Sequence, residues 1–108
     1  MATTVKHPIP IEKITDFCQR WQIVEFSLFG SILTERFRDK SDVDVLVSFA
    51  PETRYTLGDL DLMEEELEVI FGRSVDLIEK RAVQASQNYI RRGEILGTAQ
   101  VIYQAAHA

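Results

Sequence analysis

Cysteine, histidine, proline and glycine are all scarce in this chain of 108 residues, and each shortage removes a class of protein. The single cysteine, Cys18, excludes an internal disulfide, and with two histidines, His7 and His107 near opposite ends, no Cys/His group has zinc-ligand spacing. Neither histidine stands in a Ser- or Cys-partnered pattern, so a histidine-activated nucleophile is not expected. Five glycines and three prolines are too few for a fibrous or low-complexity chain. No apolar run approaches a membrane span, and the opening MATTVKHPIPIEKI has no stretch long enough for a signal peptide, so the expected location is the cytoplasm, away from any membrane. Positive charge is also in deficit. Twelve basic residues stand against 17 acidic ones, a formal charge of −5, which argues against a protein that grips nucleic acid through its overall field. No direct nucleic-acid partner is expected.

What is present is the composition of an ordinary globular domain, 45% hydrophobic and 27% charged. Residues 1–108 are expected to form a single domain, with room for one continuous core but not for a separate substrate domain. PIPIEKITDFCQRW places Ile11, Ile14, Phe17, Cys18 and Trp21 at helical spacing behind Pro10, which suits a first helical position. On that stripe Cys18 is expected to pack as a small hydrophobe. IVEFSLFG reads as a largely buried strand ending in a turn at Gly30, and Ser31 is expected to cap a short helical segment, ILTERF.

A second strand is predicted over Val43 to Phe49, then a loop at APETRYTLGD. In LGDLDLMEEELEVIFGR the residues Leu60, Met63, Leu67, Ile70 and Phe71 recur at helical spacing, with Gly72 at the stop. The acidic run from Asp59 to Glu68 is read as the solvated face of that helix. SVDLIEK is a third short strand, and VQASQNYIRRGEILGTAQVIYQ is helical in pattern, one bent helix or two. The order of elements predicts an α/β (α+β) chain.

Within this frame two carboxylates stand at the mouth of an apolar strand. Strand side chains alternate faces, so Asp42 and Asp44 project together, opposite to Val43, Val45 and Val47. Such a pair repels unless a proton or a cation lies between, and Mg²⁺, a hard ion with an oxygen preference, is the usual occupant. Gly30 and Ser31 offer the other half of a phosphate site, a glycine for close backbone approach and a hydroxyl beside a helical turn. If the third strand neighbours the second, Asp76 joins the pair, and three carboxylates can hold two metal ions for an in-line displacement. The bland readings are a connector cap for Asp42, an edge-strand charge for Asp44 and Asp76, and an N-cap for Ser31. Each feature alone is weak; Gly30-Ser31, ten intervening residues, Asp42-Val43-Asp44 and a later strand Asp form a more specific pattern.

On these residues the chain resembles the minimal nucleotidyltransferases (MNT) of the DNA polymerase β-like superfamily. LFGSILTERFRDKSDVDVLVSF is similar to their Gly-Ser/Asp-x-Asp core, FGRSVDLIEK to the strand with the third Asp, and IRRGEILGTAQVIY to their C-terminal helix. The resemblance implies a small mixed sheet flanked by helices and the role of antitoxin in a HEPN/MNT toxin–antitoxin pair. It implies a protein adenylyltransferase that moves AMP from ATP to a tyrosine of a partner HEPN ribonuclease. Carried over, Gly30 and Ser31 would bind the triphosphate, Asp42 and Asp44 would hold Mg²⁺, and Asp76 would be the third carboxylate, as ligand or base. A non-catalytic antitoxin that masks its partner sterically is the alternative. Family members commonly continue Gly-Ser with Xaa-Ala-Arg-Gly, whereas this chain has Ile32-Leu33-Thr34-Glu35, so a basic residue expected near the phosphates is missing unless Arg36 or Arg38 replaces it.

Overall fold

The computed structural model describes residues 8–34, 37–38 and 40–105. Within them the elements are α1 (Ile11–Arg20), β1 (Ile23–Phe29), a single 3₁₀ turn (Gly30–Leu33), β2 (Val43–Phe49), α2 (Leu57–Phe71), β3 (Val75–Glu79), α3 (Lys80–Gln84), α4 (Tyr89–Thr98) and β4 (Gln100–Gln104). The four strands form one mixed sheet in the order β3-β2-β1-β4, with β1 antiparallel to both neighbours and β2 parallel to β3. The expected small mixed sheet flanked by helices is therefore found. His7, His107, Glu35 and Arg36 lie outside the described residues.

Alternation along the strands assigns each sheet face its own core. On one face Phe26, Leu28, Val43, Val45, Val47 and Val75 meet Ile14, Phe17 and Cys18 of α1 and Met63 and Leu67 of α2. Cys18 is buried there, and the burial pushes its thiol up to about 12, so it stays a neutral packing group. On the other face Phe29 and Leu46 meet Val83 of α3 and Ile95 of α4. Two cores follow from topology. Because β4 pairs with β1 at the edge opposite β3, the chain between β3 and β4 must cross the sheet, and α3 and α4 cross on the face that α1 and α2 leave open.

Local signals set the helix ends. Thr56 and Asp59 form a reciprocal capping box at the start of α2, and Gly72 ends it in the left-handed region, φ +72°, its N–H donating to the Glu68 carbonyl at 2.8 Å. Pro10 falls one residue ahead of α1, as its N-cap, with its carbonyl accepting from Ile14 N–H. The acidic face of α2 is only partly solvent-directed. Glu64 and Glu68 accept the backbone N–H groups of Leu77 and Val75 on β3, at 2.9 and 3.4 Å, and Glu66 accepts from Trp21 Nε1 and pairs with Arg20. Donors on an edge strand that would otherwise recruit another chain are thereby occupied.

Two expectations are corrected. Gln100–Gln104 is a strand and not the end of a helix: Ala99 leaves the helical region (φ −59°, ψ 138°), and QVIYQ, rich in residues that favour strands, fills the free edge of β1. Ser31 does not cap a helix, since ILTERF is not helical over its length and Phe29 holds the N-cap position of the 3₁₀ turn without a side-chain bond.

Phe26 lies at the centre of the larger core, fully buried and edge-on to Phe17 with ring centroids 6.4 Å apart. Phe26→Ala is expected to cost about 3–5 kcal/mol in urea unfolding, with an unchanged m-value.

Candidate active site

The site follows from strand register. Asp44 on β2 lies opposite Phe29 on β1 and Asp76 on β3, so the three side chains form a row across the sheet on the face that carries α3 and α4. Asp42 immediately precedes β2 and is exposed, as is Asp76, while Asp44 is half-buried. Burial pushes the Asp44 carboxyl above its ordinary value, the negative charges of Asp76 and then Asp42 push it the same way, and Arg91 of α4 opposes them. All three sequence-predicted carboxylates are thus within electrostatic reach of one another.

Beside this row the chain turns. Gly30 has φ +81°, a conformation side chains rarely adopt, and a Cβ at Gly30 would collide with Asp44 Oδ2. The glycine is required on two independent grounds, backbone conformation and the space that the carboxylate fills. In the following 3₁₀ turn the Thr34 N–H and hydroxyl both donate to the Ser31 carbonyl, at 2.8 and 2.9 Å. The Ser31 hydroxyl makes no hydrogen bond to a described residue and lines an open cavity of about 530 Å³ together with Gly30, Leu33, Thr34, Arg91, Glu94 and Thr98. A cavity of that size accommodates a nucleotide-sized ligand.

Among the described residues no group of three or more His, Cys, Asp or Glu is arranged as a metal-ligand set. The donor chemistry nevertheless fits a divalent cation. Crowded negative charge around a half-buried carboxylate is what a hard cation relieves, and Mg²⁺ is ordinarily held by one or two carboxylates, with water and substrate phosphates completing its shell.

The Nucleotidyltransferase domain model matches residues 11–96, which contain every residue of this row and the Gly30-Ser31 turn. The chain belongs to the nucleotidyltransferase family. Over 67 residues, 62% of this chain and 66% of the relative, it is 36% identical to the protein adenylyltransferase MntA of Thermococcus cleftensis. The matched stretch thus spans just under two thirds of that relative's own length. Among solved structures it is similar to a toxin–antitoxin complex with AMP-PNP, with a TM-score of 0.68, 16% identity, and coverage of 90% of this chain and 75% of the other. It is also similar to a complex of a tri-AMPylated Shewanella oneidensis HEPN toxin with an MNT antitoxin, with a TM-score of 0.58, 16% identity and coverage of 88% and 70%. At such identities these two likenesses establish the nucleotidyltransferase fold.

Sequence reasoning missed the α4 contribution, Arg91, Glu94 and Thr98. The proposed substitutes for a basic residue fare differently: Arg36 is outside the described residues, and Arg38 is away from the cavity lining, its carbonyl accepting from Arg73. Arg91 is the cation in the cavity lining, and only the crossing of the sheet by α4 brings it there.

Two outcomes follow from this geometry. A carboxyl whose pKa rises on folding binds its proton more tightly in the native state, so its stabilising share is present at low pH and lost as pH rises through the folded value. In chelator-treated protein at pH 7, Asp44→Asn is therefore expected to raise Tm by a few degrees, and the gain should vanish at acid pH, as differential scanning calorimetry would show. Gly30→Ala is expected to destabilise by about 1–2 kcal/mol from the positive φ and by a further amount from the clash with Asp44, and only that further amount should disappear when Asp44→Ala removes the opposing carboxylate, a non-additivity measurable in a double-mutant cycle.

Proposed function

We propose that this chain is the antitoxin of a toxin–antitoxin pair and that it transfers AMP from ATP to a tyrosine hydroxyl on a partner HEPN ribonuclease, in a reaction that needs Mg²⁺. The observation that carries the reading is the in-register Asp44–Asp76 pair, with Asp42 at its lip, directly beside the Gly30-Ser31 turn and its cavity. Membership of the nucleotidyltransferase family and the likeness to an MntA protein adenylyltransferase support it. The toxin–antitoxin neighbours, one with AMP-PNP and one with an AMPylated HEPN toxin, support the nucleotide and the partner.

Asp42 and Asp44 are the residues that would hold Mg²⁺, with Asp76 as the third carboxylate for a second ion or as the base. When bound, the cation supplies charge neutralisation for the phosphates and lowers the barrier to losing the acceptor proton. The chain's own work is positioning. Gly30 lets a phosphate approach the backbone, and the Ser31 hydroxyl is free to donate to a phosphate oxygen. A tyrosine hydroxyl, with an ordinary pKa near 10, must give up its proton, and the exposed Asp76 carboxylate is open to receive it from an incoming partner. The tyrosine oxygen then attacks the α-phosphorus, the bond from that phosphorus to the bridging oxygen of the β-phosphate breaks, and pyrophosphate leaves. A short chain suffices because the acceptor brings its own surface.

The test is to incubate the protein with its genomic-neighbour protein, Mg²⁺ and ATP labelled at the α- or the γ-phosphate, beside Asp42→Asn/Asp44→Asn. The expected result is α-label on a tyrosine of the neighbour, no γ-label, and at least about a hundredfold less transfer by the double variant. A stable complex in which the neighbour is neutralised without any label, and equally well by the double variant, would establish steric masking instead.

A further inference from the structure

Among the described residues the cavity beside Gly30 and Ser31 has one cationic side chain in its lining, Arg91, which like Arg81 makes no side-chain hydrogen bond but unlike Arg81 faces the cavity. Arg20, Arg54, Arg73 and Arg92 each donate to a carboxylate or a backbone carbonyl. The Arg91 guanidinium donates to no described residue, not even Glu94, three positions along the same helix and within pairing reach. It also lines an adjoining cavity of about 160 Å³ with Ile78, Ser86 and Arg92, so it stands where two open spaces meet. An unspent guanidinium opposite a Gly-Ser turn is a fork of donors with no acceptor among the described residues, and phosphate oxygens are acceptors that match its geometry.

We infer that Arg91 is the polyphosphate clamp of this cleft, holding the β- and γ-phosphates of a nucleoside triphosphate against the Gly30-Ser31 turn. The inference rests on the nucleotidyl-transfer reading above and deepens it by assigning the leaving group a holder. Geometry divides the substrate. The reacting phosphorus belongs at the carboxylate row, while the cavity runs from Gly30 past Thr34 to α4, where the more heavily charged pyrophosphate portion meets Arg91. Arg91 also opposes the charges that crowd Asp44, which places it within electrostatic reach of the row. As pyrophosphate departs it gains charge, and a guanidinium there stabilises that gain.

The experiment is calorimetric titration of the full chain in Mg²⁺ with AMP-PNP, pyrophosphate and AMP, for wild type, Arg91→Gln, Arg91→Lys and Arg81→Gln. Arg81 is an exposed arginine on α3 that lines neither cavity, so its variant controls for loss of one positive charge. Arg91→Gln is expected to weaken AMP-PNP and pyrophosphate at least about tenfold and AMP less than about twofold. Arg91→Lys should recover part of the loss, a point charge without the planar fork, and Arg81→Gln should match wild type. Unchanged AMP-PNP affinity in Arg91→Gln, or an equal loss for AMP, overturns the assignment. If wild type transfers AMP and only the Arg91 expectation fails, the clamp is wrong and nucleotidyl transfer stands. If wild type binds none of the three ligands, both fall together.

Discussion

Repulsion among Asp42, Asp44 and Asp76 is the interaction the rest of the molecule must withstand. Strand pairing sets Asp44 level with Asp76, and Asp44 is half-buried, so water screens the pair poorly. The ladder between β2 and β3 holds the two residues at the same level of adjacent strands. Gly30 is bound to the same constraint from the other side, since its missing side chain is the space that Asp44 occupies. Such an arrangement costs stability in the metal-free chain. Strain of this kind persists where the surrounding structure over-determines it, and a cation with phosphate oxygens is what would relieve it.

The remainder of the fold supplies that over-determination. One face of the sheet is closed by α1 and α2 over a core in which Phe17, Phe26, Val43, Val45 and Leu67 are almost wholly buried. Glu64 and Glu68 tie the outer edge of β3 to α2, fixing the strand that carries Asp76. Lys80 at the start of α3 pairs with Glu25 of β1 at 2.9 Å and anchors the start of the crossing over the second face. The crossing then delivers Ile95 onto Phe29 and Leu46, and Arg91 to the cavity. One end of the β2–β3 pair thus carries the acids, and a helix packed on the smaller core carries the cation.

The carboxylate row was legible in the sequence because its signals are short-range: alternation along one strand, a glycine at a turn, and a fixed spacing between them. Joining Asp76 to that pair needed one long-range fact, the β2–β3 pairing, which sequence order left conditional. The C-terminal strand was illegible for a different reason. Ile95, Ala99 and Ile102 recur at helical spacing, and five residues of QVIYQ are too few for alternation to outweigh it; the free edge of β1 decides the outcome. Arg91 looked like any charged helix residue, since its significance comes from where α4 crosses the sheet. The acidic run on α2 read as a solvated face because nothing local marks Glu64 and Glu68 as acceptors for a strand that comes after them.

The central claim is that the acidic row is a cation seat for a nucleotide. The most direct measurement is Mn²⁺ binding followed by electron paramagnetic resonance, with Mn²⁺ standing in for Mg²⁺, in the presence and absence of AMP-PNP, for wild type and Asp44→Asn. The account predicts that wild type immobilises Mn²⁺, that AMP-PNP tightens this binding, and that Asp44→Asn abolishes both effects while remaining folded. Mn²⁺ binding that is equal in the two proteins, or AMP-PNP binding indifferent to the cation and to Asp44, would contradict it.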